Sequence, residues 1–109
     1  MRNMSKKTWK LRVRSRMTEM QKLDVLLKKA KAPHTYEHHK DYLYGRIIVY
    51  DSEGRKLWDA VCSVLTYGGQ QGFIEVMGTQ LLGHDDVEGW LTARQVTKMW
   101  RCRNAAKNR

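Results

Sequence analysis

Two short runs of alternating apolar residues face each other across a tight turn, and this pairing constrains the chain more than any other feature. Ile47 and Val49 alternate with Arg46, Ile48 and Tyr50. After Asp51-Ser52-Glu53-Gly54 the chain returns from Leu57 to Ser63. On that return, Trp58, Ala60 and Cys62 share one face, and Leu57, Asp59 and Val61 share the other. A period of two on both sides of an Asp/Ser/Gly turn reads as a β-hairpin. Gly54 is available for a left-handed bulge position.

The other elements are read around that hairpin. Trp9, Leu11 and Val13 alternate with Lys10, Arg12 and Arg14. This pattern is either a short strand with a cationic face or a disordered basic arm with a chance alternation. Thr18-Glu19-Met20-Gln21 has capping-box spacing, which predicts a helix to about Ala32, where Pro33 stops it. Met20, Leu23, Leu27 and Ala30 form its apolar stripe, and Lys22, Lys28, Lys29 and Lys31 face outward. From His34 to Tyr44 the chain is polar and aromatic without a clean period. Phe73, Ile74, Met77 and Leu81 predict a helix over residues 70–82, although Gly72 and Gly78 each weaken it by about 1 kcal/mol. Residues 83–89 read as an acidic loop. Thr92-Ala93-Arg94-Gln95 repeats the capping-box spacing. It opens a last helix with Val96, Met99 and Trp100 on one face. The expected architecture is α+β: a small antiparallel sheet around a central hairpin at 45–63, with about three helices packed on one face.

A chain of 109 residues is enough for one compact domain, here read as residues 1–109 with basic ends, 1–8 and 104–109, that fray. No apolar run approaches the roughly 18 residues that cross a bilayer, and no signal peptide is read at the basic start. Cys62 and Cys102 do not make a disulfide framework. The expectation is a reduced, cytoplasmic protein. The net charge of +10 is unevenly placed. Residues 1–33 hold eleven Lys/Arg against two acids, 34–91 hold four against nine, and 92–109 hold six against none. If both ends fold onto one side, the domain has a cationic face suited to nucleic acid or to an acidic protein surface. Candidate contact residues are Lys6, Lys7, Lys10, Arg12, Arg14 and Arg16 near the start, where Trp9 is interleaved, and Arg94, Lys98, Arg101 and Arg103 on the last helix. The bland alternative is a solvated charge excess, with Trp9 anchoring a strand.

Signals for chemistry are weak. His34 and His38 stand four apart, an interval at which a helical pair can share one ion, but Pro33 counts against a helix start there and no CxxC or paired Cys/His signature exists. These two with His39, Cys62, His84 and Cys102 could therefore ligate zinc only if the fold gathered them. No metal site and no cofactor are therefore expected. Glu37-His38-His39-Lys40-Asp41 resembles an acid/base cluster but has no nucleophile beside it. Tyr67-Gly68-Gly69-Gln70-Gln71-Gly72 lacks the Lys-Ser/Thr of a phosphate loop and reads as a sharp turn. These signals favour a binding protein over an enzyme.

One stretch resembles a known group. Leu57-Trp58-Asp59-Ala60-Val61-Cys62, Tyr67-Gly68-Gly69, residues 72–78 (Gly-Phe-Ile-Glu-Val-Met-Gly) and residues 86–93 (Asp-Val-Glu-Gly-Trp-Leu-Thr-Ala) carry the likeness. They are similar to small proteins carried by phages and mobile elements of Gram-positive bacteria. The resemblance covers about Tyr44 to Trp100 and brings no catalytic residues. What it implies is context: such proteins act on host machinery, and anti-CRISPR inhibitors are a prominent class. The resulting expectation is an inhibitor that docks on a CRISPR effector nuclease through its basic face, blocking DNA loading or activation in the bacterial cytoplasm. The alternative is a small DNA- or RNA-binding accessory protein that contacts phosphates with the same two segments.

Overall fold

The computed structural model describes residues 17–38 and 43–107. Helix α1 (Glu19–Lys29) starts as the capping box requires: Gln21 N–H donates to Thr18 Oγ1 at 3.1 Å, and Thr18 N–H donates to Gln21 Oε1 at 2.9 Å. Met20, Leu23 and Leu27 are buried on its apolar stripe. The helix ends earlier than expected. Ala30 is an exposed cap rather than a core residue, because Lys31 turns left-handed at φ 56° and its N–H closes back on the Lys28 carbonyl.

Five antiparallel strands follow as a meander: β1 (His34–Glu37), β2 (Leu43–Tyr50), β3 (Lys56–Ser63), β4 (Ile74–Met77) and β5 (Val87–Leu91), neighbours in chain order. The β2–β3 hairpin has the expected faces. Ile47, Val49, Trp58, Ala60 and Cys62 all point into the core. Its turn is held by the Asp51 carboxylate, which accepts the amides of Glu53 and Arg55, both at 2.9 Å. Gly54 sits at φ 83°. Strand β1 occupies the stretch read as aperiodic.

The helix expected over residues 70–82 does not form. Gly68 and Gly72, both left-handed, bracket a single 3₁₀ turn at Gly69–Gln71. Ile74 and Val76 are buried with a period of two on β4, where Ala60 pairs with Val76. Gly78 at φ 141° then breaks the chain again, and only Thr79–Leu82 is helical (α2). The spacing of four that pointed to a helix was coincidental: Met77 is exposed, and β-branched Ile74 and Val76 suit a strand. A Cβ on Gly78 would lie 2.5 Å from the Trp58 Cβ, so glycine lets the chain pass close over the sheet. The expected acidic loop gives way to β5 from Val87.

Helix α3 (Ala93–Lys107) opens on the second capping box, with Gln95 N–H on Thr92 Oγ1 at 3.2 Å and Thr92 N–H on Gln95 Oε1 at 2.8 Å. It runs into the stretch expected to fray. Ala93, Val96 and Trp100 are buried, and the Trp100 ring lies 5.7 Å from that of Trp58. Helices α1, α2 and α3 therefore share one core with the inner face of the sheet, an α+β arrangement. No helix among the described residues is long and apolar enough to cross a membrane.

Candidate binding surface

The two long helices lie side by side and start at the same end. Their first turns are tied where the Ala93 N–H donates to Glu19 Oε1 at 2.9 Å. Between them runs an open groove of about 540 Å³. Met17, Val25 and Leu26 give it apolar walls, and Lys22, Lys29 and Arg94 supply cations. Val25 falls off the core stripe of α1 and Leu26 sits at its edge, partly packed against the core, which is why the core-facing pattern overlooked them. The readable signal was two apolar side chains on an otherwise charged helix face.

The predicted cations of α3 extend this surface. Arg94, Lys98 and Arg101 are exposed at intervals of four and three, so they share one face of the helix. No ion pair engages them among the described residues, and α3 carries no acidic residue. On α1, by contrast, Lys22 pairs with Glu19 at 2.9 Å and Lys28 with Asp24 at 3.0 Å. Arg103 has a different job: its Nε donates to the Leu81 carbonyl at 3.2 Å, and its guanidinium lies against Gly83, holding the end of α2. Lys6, Lys7, Lys10, Arg12, Arg14, Arg16 and the strand read at Trp9–Val13 lie outside the described residues. The helix layer is thus the cationic side of the described molecule.

The metal-ligand candidates are dispersed. His34 is engaged at both ring nitrogens, Nδ1 against the Ala32 carbonyl and Nε2 against the Asp24 carboxylate, both at 2.7 Å. Burial alone would raise the Asp24 pKa, but hydrogen bonds from His34 and Lys28 outweigh it and hold the carboxyl below its ordinary value. Cys62 is a core thiol, its Sγ 3.6 Å from the Gly69 carbonyl, and burial pushes its pKa up. A thiol held neutral is a poor nucleophile and a poor ligand. Cys102 is exposed on α3. His84 is exposed in the α2–β5 loop, where its Nδ1 accepts the Asp86 amide at 3.2 Å. His38 is exposed at the end of β1, and His39, Lys40 and Asp41 lie outside the described residues. Among the described residues no three His, Cys, Asp or Glu side chains gather where they could share an ion.

The outer face of the sheet differs in character. Asp59 is buried there and pairs with Arg46 at 3.1 Å and Lys56 at 3.5 Å. Glu75 is half-buried beside it; burial, and then the nearby Asp59 charge, push its pKa up against a hydrogen bond from the Tyr67 amide. No family model matches the sequence, no curated protein matches it, and no solved structure matches it.

Proposed function

We propose that this chain acts by binding, and that its helix layer docks on an acidic, partly apolar surface of a protein partner. The observation that carries the reading is the groove between α1 and α3, with apolar walls and cations beside them, and next to it Arg94, Lys98 and Arg101, which have no ion partner among the described residues. Cations without acidic partners are already poised for an external anion, and they speed encounter with it. Apolar walls add contact area that a phosphate backbone does not use, which favours protein over nucleic acid. The resemblance to proteins of phages and mobile elements suggests the partner's class: a host effector nuclease of a CRISPR system in the bacterial cytoplasm, inhibited at DNA loading or activation.

A second reading rests on α3 itself. It is about 22 Å long at 1.5 Å per residue, free of acids, and lined by cations at helical spacing. Such a stripe also fits the phosphates of DNA or RNA. One experiment separates the two. The protein is used to capture partners from a host extract, with and without nuclease digestion, beside the triple variant R94E/K98E/R101E. The protein-partner reading expects a nuclease-resistant partner that the triple variant loses at least tenfold. Loss of every partner on digestion leaves the phosphate reading standing and removes the inhibitor reading. Undiminished capture by the triple variant removes both.

A further inference from the structure

At the far end of the sheet from the hairpin turn, β5 does something costly. Ile74 pairs with Leu91, but Val76 pairs with Glu88, so β5 has one residue more than β4 across that span. The extra residue forms a bulge at Gly89-Trp90, and Trp90 takes φ 59°. A left-handed backbone is unusual for any side chain and a true outlier for a bulky one. Glycine at position 90 would relieve it. Core packing is not what keeps the tryptophan, because 57% of its surface is exposed. Strain kept at an exposed aromatic points to display, since bulges commonly re-aim a side chain at a functional surface.

The surroundings fix that display in place. Trp90 N–H donates to the Tyr67 carbonyl at 3.1 Å. The 67–73 loop crosses so closely that a Cβ on Gly68 would lie 3.0 Å from Trp90 Cα, and a Cβ on Gly89 would lie 2.2 Å from Tyr67 Cβ. The Phe73 ring centroid is 6.0 Å from that of Trp90, and Tyr67 is 62% exposed. The electrostatics are equally biased. From Leu57 to Leu91 the sequence has five acids and no Lys or Arg, in a chain whose net charge is +10; Asp59 is already paired with Arg46 and Lys56, and Glu88 stands two residues before Trp90. Glu75 lies under the Tyr67 amide.

We propose that Tyr67, Phe73 and Trp90 form a second recognition surface, which takes an arginine- or lysine-bearing segment of a protein partner. Aromatic faces attract cations, most strongly on tryptophan, and a guanidinium stacks on the indole plane. Glu75 beside Tyr67 and Glu88 beside Trp90 complement the same cation and disfavour phosphate, so this surface and the helix layer select opposite charges. A prebuilt backbone spares the ordering cost of binding.

The test uses the full chain labelled with ¹⁵N and two six-residue peptides, one alternating glycine with arginine, the other glycine with glutamate. The arginine peptide is expected to shift the Trp90 indole N–H resonance while that of buried Trp58 stays in place, and the glutamate peptide to shift neither. Trp90→Gly is expected to weaken arginine-peptide binding at least tenfold with no fall in melting temperature, because it removes strain and leaves every charge in place. Three results would overturn the proposal: no shift at Trp90, unchanged peptide affinity in Trp90→Gly, or a marked fall in that variant's melting temperature, which would make Trp90 a packing residue. A concentration-dependent Trp90 shift without peptide, with self-association in sedimentation, would replace the foreign segment by a second copy and also count against it.

Discussion

The β2–β3 hairpin and the β4–β5 unit belong to one sheet and are built on opposite terms. In β2–β3 the five inward residues from Ile47 to Cys62 are buried, and the turn is held by the Asp51 carboxylate. Its irregularities fall near the strand ends. In β4–β5 the pairing carries a bulge, the connection bends through Gly78 at φ 141° and left-handed Gly83, and a strained tryptophan stands in solvent. The contrast assigns them different work. The hairpin anchors the core, and the β4–β5 unit gives up regularity to present side chains. Local stability need not be uniform across a sheet, and surfaces that bind are drawn from its less regular parts.

The largest effect expected from this contrast is at Trp58. It is fully buried against Trp100, so Trp58→Ala should lower stability in urea by about 3 to 5 kcal/mol. A loss below 1 kcal/mol would remove the hairpin from its central place. An intermediate effect is expected at Gly89→Ala, where the added methyl meets Tyr67. Overpacking of this kind costs about 1 to 3 kcal/mol. Hydrogen exchange should quicken in β5 and the 67–73 loop while β2 and β3 keep their protection. Equal acceleration in both units would erase the distinction.

The smallest effect is a difference in sign with pH. Asp24 has a lowered pKa, so its contribution is present above the unfolded value and lost as pH falls through the folded one. Glu75 has a raised pKa, so ionising it costs stability as pH rises past the ordinary glutamate range. At pH 7, Asp24→Asn should therefore lower the melting temperature slightly and Glu75→Gln should raise it slightly. As pH falls through the lowered Asp24 value and both carboxyls take up protons, the differences should shrink. Shifts of the same sign at neutral pH would contradict the opposed environments of the two carboxyls.

How far the sequence could be read follows the same division. The hairpin was legible because both strands bury alternate residues over enough length to show a period. Both capping boxes were legible because a hydroxyl and an amide three residues apart have one common use at a helix start. Strand β1 was not, since His34-Thr35-Tyr36-Glu37 is a half-buried edge strand with no fully buried residue. Residues 74–77 were misread because four residues are too few to outweigh a coincidental spacing of four, and the backbone angles of Gly72 and Gly78 decided the outcome. The bulge was hidden because left-handed positions announce themselves through glycine, and this one falls on Trp90. Within the site, Arg94, Lys98 and Arg101 were legible from an acid-free run. The groove was not, because it exists only where α1 and α3 meet.

That meeting has a kinetic consequence. Glu19 and Ala93 are joined by a hydrogen bond although 74 positions separate them, and all five strands lie between. The two walls of the groove therefore belong to the slowest class of contact, one whose loop must be closed by everything in between. A chain emerging in order has its hairpin before it has its cationic face. Docking through that face, as proposed, would therefore report completed folding, because a chain halted before α3 lacks one wall of the groove.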